Sequence, residues 1–113
     1  KKRFLTDVYC EETIKKYWDS LLQSNENITS KEIKRFIKLA STILDFDIKR
    51  DLVKVKCKTL VIGSNNDSIF GWESAKLLAK ELNSELYLYD TFGHAVYDEA
   101  PDFRDRMLRF LQN

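Results

Sequence analysis

The stretch Thr91-Phe92-Gly93-His94-Ala95-Val96-Tyr97-Asp98-Glu99-Ala100-Pro101 carries the only histidine of the chain, His94. A lone imidazole is an effective acid–base group when a second residue fixes which ring nitrogen holds the proton, and a carboxylate is the usual partner. Asp67, in the polar run Ser64-Asn65-Asn66-Asp67-Ser68, is the carboxylate whose place in the sequence suits that task. Paired with His94, Asp67 would accept a hydrogen bond from one ring N–H, fix the tautomer and stabilise the imidazolium. The other nitrogen would then serve as a general base. The same two residues fit a plainer use, an Asx turn closed by Asp67 and a backbone hydrogen bond made by His94. On spacing alone both uses stand equally open.

Other chemistry is thinly provided for. Cys10 and Cys57 are too few for a disulfide framework and lack metal-ligand spacing. With one histidine and scattered carboxylates, neither a zinc site nor any other cofactor is expected. The two cysteines read as buried or partly buried free thiols in a reducing compartment, hence a cytoplasmic location. Asn27-Ile28-Thr29 and Asn66-Asp67-Ser68 match the glycosylation triplet, a pattern short enough to arise by chance.

The elements around the pair explain how Asp67 and His94 could meet. Thr59-Leu60-Val61-Ile62 is a continuous apolar run ending at Gly63, which predicts a parallel strand buried on both faces. The Asp67 loop follows it. A helix is predicted over residues 71–82, with Ala75, Leu78, Ala79 and Leu82 along one side. Leu86-Tyr87-Leu88-Tyr89 reads as a second strand, spanning about residues 85–91, and the His94 loop comes after it. Pro101 suits the first turn of a last helix, whose buried face would be Phe103, Met107, Phe110 and Leu111. Strand, helix and strand at short spacing imply a right-handed crossover with parallel strands. Both loops then leave the same edge of the sheet, where open α/β sheets hold ligands.

The first half differs in character. Ile14, Tyr17, Trp18, Leu21 and Leu22 recur at helical spacing, predicting a helix over residues 11–23 that Asn25-Glu26-Asn27 breaks. Thr29 and Glu32 suit a capping box opening a second helix, with Ile33, Phe36, Ile37, Ala40 and Leu44 as its buried stripe. Charge changes along the chain too: the part up to residue 58 is net basic and the rest net acidic, although 19 basic and 18 acidic residues nearly cancel overall. Lys31, Lys34, Arg35 and Lys38 read as a solvated helix face, with no nucleic-acid-binding motif beside them. Of 113 residues, 43% are apolar and 33% charged, a globular balance with room for one modest core. The longest aliphatic run, Leu60-Val61-Ile62, falls far short of the roughly 20 residues of a membrane span, and no secretory leader is visible.

At the residues CKTLVIGSNNDSIF and TFGHAVYDEAPDF the chain resembles the C-terminal part of an α/β-hydrolase-fold enzyme. In that family a strand ending Val-Ile-Gly leads to the acid of a catalytic triad, and the next strand leads to Gly-His with an acidic residue and often a proline beyond. The resemblance implies that Asp67 is the acid and His94 the histidine, with Gly93 turning the chain sharply enough to aim the ring. Residues 57–113 would be the βαβα end of the hydrolase sheet, an α/β fold with two parallel strands. Residues 1–56 would be a helical cap or lid, with 51–57 the lead-in to the first strand. Lys58 and Phe70 stand where the family often has proline, positions without chemistry. The nucleophile is another matter. The family holds it on a G-x-S-x-G elbow ahead of acid and histidine, and none of Ser20, Ser24, Ser30, Ser41, Ser64, Ser68, Ser74 and Ser84 has those flanking glycines. The expectation is therefore part of a longer hydrolase acting on an ester, thioester, amide or related acyl bond of a small, partly apolar molecule. An open sheet edge where a neighbouring strand is expected predicts self-association. The competing reading is a non-catalytic α/β module that binds a partner through its helical segment.

Overall fold

The computed structural model describes the backbone of residues 2–44 and 46–112, and their side chains except at positions 2 and 24–26. In chain order the elements are α1 (Lys2–Val8), α2 (Glu11–Glu26), α3 (Ser30–Ser41), α4 (Lys49–Leu52), β1 (Leu60–Ser64), α5 (Trp72–Leu82), β2 (Glu85–Tyr89), α6 (Val96–Glu99) and α7 (Phe103–Gln112). The aliphatic run forms β1 and pairs in parallel with β2, from Leu60 opposite Glu85 to Ser64 opposite Tyr89. The first strand begins and ends one residue later than its apolar pattern suggests, and the second stops at Tyr89.

Helix α5 lies against both strands. It ends where Asn83 turns left-handed at φ 49°, a conformation that asparagine tolerates better than most residues. Close packing on β1 depends on small side chains. A Cβ at Gly63 would stand 3.1 Å from Ala75 Cβ and 3.3 Å from Leu88 Cδ2. Ala79, on the same helix, is buried.

The best-packed cluster is beyond β2. Tyr89, Val96 and Ala100 are buried, with Ile62, Tyr87, Phe92 and Phe103 packed around them. Tyr89 meets Tyr87 and Phe92 edge-on, and its hydroxyl donates to Asp102 at 2.9 Å. The Arg106 guanidinium lies 3.3 Å from the Tyr87 ring centroid and pairs with Asp102 at 2.7 Å. These contacts fasten the last helix to β2 through a cation–π stack and a charge-assisted bond. The loop expected after β2 contains a one-turn helix, α6, and Pro101 stands in the turn before α7 rather than inside it. The predicted face of α7 is only partly covered: Phe103 and Phe110 are half-buried, Met107 and Leu111 exposed.

The first half is helical up to α4, and two of its predicted features change. Helix α2 continues through residues 25 and 26, with Asn27 as C-cap, so the polar run ends the helix later than expected. The capping box is present: Thr29 Oγ1 accepts from Glu32 N–H while the Glu32 carboxylate accepts from Thr29 N–H at 2.7 Å. The stripe it introduces is not buried. Phe36 and Ile37 are 61% and 60% exposed, and Ile33 and Leu44 are exposed as well. Periodicity marks which face is apolar; burial also requires an element lying over that face. Cys10 is half-buried, whereas Cys57 is exposed, contrary to the expectation of covered thiols. Among the described residues no helix is long and apolar enough to cross a membrane.

Candidate active site

Parallel pairing brings the loop after β1 and the loop after β2 out at one edge of the sheet, and a set of hydrogen bonds holds them together there. Asn65 N–H donates to the Tyr89 carbonyl at 2.8 Å, and the Asn65 and Asn66 amide groups reach the Asp90 carboxylate and carbonyl at 2.5 and 2.6 Å. Ser64, 1% exposed, donates its hydroxyl to the Phe92 carbonyl and accepts from Asn66 N–H. The two asparagines and the buried serine thus serve the loops' geometry.

Asp67 and His94 meet within this frame. His94 Nδ1 lies 3.0 Å from Asp67 Oδ2. The other carboxylate oxygen, Oδ1, accepts from Ile69 N–H at 2.8 Å and Phe70 N–H at 3.0 Å. The Asx turn and the imidazole pairing, open alternatives in the sequence, coexist because each uses its own oxygen. Burial is the largest influence on the Asp67 carboxyl and pushes its pKa up; the hydrogen bonds from His94, Phe70 and Ile69, with the His94 charge, outweigh it and hold the pKa below the ordinary value. An ionised Asp67 accepts a hydrogen bond from Nδ1–H, which keeps that proton on Nδ1 and leaves Nε2, across the ring, as the basic nitrogen. Phe70 packs edge-on against the imidazole at 5.1 Å, and the His94 side chain keeps 28% exposure. The arrangement can orient a tautomer and move a proton at Nε2.

Neither serine nearest the pair in sequence is a free nucleophile. Ser64 is buried and committed to Phe92, and Ser68 donates to the Asp7 carbonyl at 2.6 Å. Gly93 also has a different role from the one expected. Its φ is not positive; a Cβ there would come within 2.7 Å of the Val8 carbonyl oxygen and 2.9 Å of the Cys10 nitrogen. Glycine is required by close approach of another segment.

That segment, residues 7–10 at the junction of α1 and α2, carries no motif that marks it in the sequence. It touches both loops. Ala95 N–H donates to the Val8 carbonyl at 3.1 Å, and Tyr9 hydroxyl to Asp98 at 3.3 Å. The Glu99 carboxylate accepts from Cys10 N–H and Gly93 N–H, both at 2.6 Å. The only sequence signal for Glu99 is its place in the acidic pair after His94. A separate groove of about 650 Å³ runs past Leu60 and Ile62, with Ile48, Leu52, Leu78 and Phe110 among its walls; neither Asp67 nor His94 lines it. Among the described residues no group of three or more His, Cys, Asp or Glu is arranged to hold a metal ion.

Comparison with known proteins places these features in context. No family model matches the chain. It is 35% identical over 65 residues, 57% of its length, to the proline iminopeptidase PfmaB of Pestalotiopsis fici. It is 33% identical over 78 residues, 67% of its length, to a protein of Rhizobium rhizogenes described as a carbamate hydrolase, RutD. The chain spans only 23% and 30% of those relatives. Its fold matches the crystal structure of MGS-M2, an alpha/beta hydrolase enzyme from a Medee basin deep-sea metagenome library, with a TM-score of 0.83 and 26% identity. That match covers 95% of this chain and 42% of MGS-M2.

Proposed function

The chain has the fold of part of an α/β hydrolase, and from that premise we propose that Asp67 and His94 are the acid and the base of a catalytic triad for acyl-bond hydrolysis. The observation that carries this reading is the 3.0 Å contact between His94 Nδ1 and Asp67 Oδ2, made by loops leaving the same edge of a parallel pair. The nucleophile is a serine-type oxygen on a G-x-S-x-G elbow, a motif absent from these 113 residues and assigned to a further part of the enzyme. His94 Nε2 takes the nucleophile's proton as its oxygen bonds to the acyl carbon. The same proton passes to the leaving group as the acyl bond breaks, and water repeats the sequence to release the acid. Asp67 holds the ring and balances the imidazolium throughout.

Residues 1–56 act as a cap-like segment beside the site, and 57–113 as the βαβα part of the core. The names of PfmaB and RutD support a small-molecule amide or carbamate bond within the acyl class, and the apolar helical faces support a partly apolar substrate. The reading places the enzyme in the cytoplasm, in keeping with its free thiols. An open reading frame that encodes the elbow ahead of this segment is the expected genetic finding. In the isolated chain, hydrolysis of an activated ester is expected to be the same for wild type and His94→Ala, because on this reading the nucleophile and the oxyanion donors belong to the further part of the enzyme. A rate lost in the variant would mean that the chain holds its own nucleophile.

One observation favours a second reading. The apolar face of α3, with Phe36, Ile37 and Leu39 about three-fifths exposed, suits a non-catalytic module that binds a partner through its helices. A start codon immediately ahead of Lys1, with no elbow encoded before it, would favour this module over the enzyme.

A further inference from the structure

We propose that Glu99 is a positioning residue for His94: its carboxylate bridges Gly93 N–H and Cys10 N–H and locks the histidine turn against the α1–α2 junction. The proposal rests on the reading of Asp67 and His94 as acid and base, and extends the site to residues that touch neither reacting atom. One carboxylate oxygen serves each amide, both at 2.6 Å, the short distance of a charge-assisted bond. Gly93 directly precedes His94 and is itself buried, as are Ala95 and Val96 after it. Its N–H therefore has no water to turn to if Glu99 is removed.

The second half of the bridge gives the bond its positional meaning. Cys10 is the N-cap of α2 and lacks a side-chain cap of its own, so the Glu99 carboxylate also sits at the positive end of that helix. Ala95 N–H on Val8, just past the histidine, pins the other side of His94 to the same segment. The imidazole is thus held between two backbone anchors one residue to either side, while Asp67 fixes its far edge through Nδ1. Loss of the Glu99 bridge frees one anchor and lets the ring rotate off Asp67. Glutamine is a poor substitute, since its single acceptor oxygen can serve one amide and its NH₂ faces the other N–H.

The lone histidine makes the test direct. The ¹⁵N shifts of His94 in the whole chain report which ring nitrogen holds the proton, with no other imidazole in the spectrum. In the wild type the proton is expected on Nδ1, and Asp67→Asn is expected to abolish that preference. If Asp67→Asn changes nothing, the acid–base reading itself fails. With Asp67 intact, Glu99→Gln is expected to lower the ratio of Nδ1–H to Nε2–H tautomer by about tenfold, and Glu99→Asp, too short to span both amides, by less. Asp98→Asn, which alters only the exposed Tyr9 contact between the same segments, is expected to keep the wild-type ratio. An unchanged tautomer ratio in folded Glu99→Gln would overturn the positioning role while leaving the pair standing. Hydrogen exchange in the wild type supplies a check that needs no variant: the Gly93 and Cys10 amides are expected to be protected together. Exchange of both at the rate of open loop amides would also overturn the proposal.

Discussion

Replacing Gly93 by alanine sets two effects of opposite sign against each other. The backbone there is not left-handed, so alanine can adopt it, and restricting the unfolded chain would stabilise by about 0.4–1 kcal/mol. The added Cβ, however, would stand 2.7 Å from the Val8 carbonyl oxygen and 2.9 Å from the Cys10 nitrogen and the Tyr9 carbonyl carbon. These are backbone atoms, so no side-chain rotation relieves the clash. Forced overpacking costs about 1–3 kcal/mol. Parting the two segments also weakens the Ala95–Val8 bond and the bonds to Glu99, each worth roughly 0.5–1.5 kcal/mol net. The steric effect wins, and a net loss of about 2–4 kcal/mol is expected. With a urea dependence of about 1.5 kcal/mol per molar for a small domain, the midpoint falls by more than about 1 M. Urea unfolding followed by circular dichroism measures this. A midpoint unchanged or raised would refute the close-approach reasoning, since only the unfolded-chain effect would remain.

Asp67 has its pKa lowered in the folded chain, so its contribution to stability is present above the unfolded carboxyl's pKa and is lost as pH falls through the folded value. Asp67→Asn is therefore expected to flatten the acid limb of stability against pH, and an identical acid limb in both proteins would contradict the pairing. Thr29→Ala removes the exposed capping box of α3 and is expected to cost that helix about 1 kcal/mol. Because α3 has no buried residue, the loss should appear as faster amide exchange within it and leave the global urea midpoint nearly unchanged; an equal fall in the global midpoint would mean that α3 is packed into the core. Among the described residues the sheet has two strands, with β1 paired on one side to β2, and the apolar α3 face is exposed. Light scattering across a concentration series is expected to show self-association, and a monomer at every concentration would rule it out.

What the sequence made legible was local and periodic. The run Leu60-Val61-Ile62 and the helix at 71–82 are dictated by short-range pattern, and parallel topology explains why the Asp67 and His94 loops leave one edge of the sheet, where the two side chains meet. The Thr29–Glu32 box was readable because both partners lie within one turn. Contacts between distant segments were not. Glu99 reaches Cys10 across most of the chain, and nothing in the composition of residues 7–10 marks them as a support for the histidine turn. Gly93 looked like a residue needed for its conformation, but what requires glycine is a neighbouring backbone invisible in the local sequence. The Ile33–Leu44 stripe failed for a related reason: an apolar face states what a helix can bury, and the covering element must come from elsewhere.

The central claim is that His94, held by Asp67, is the general base of an acyl hydrolase. It is tested most directly by the turnover of an activated ester by the full reading frame that encodes this chain, compared with its His94→Ala variant at equal folded concentration. Loss of the base is expected to lower kcat by at least about 10³-fold, with the fold unchanged by circular dichroism. Equal turnover by the two proteins would contradict the claim and leave the Asp67–His94 pair a structural feature of the loop edge.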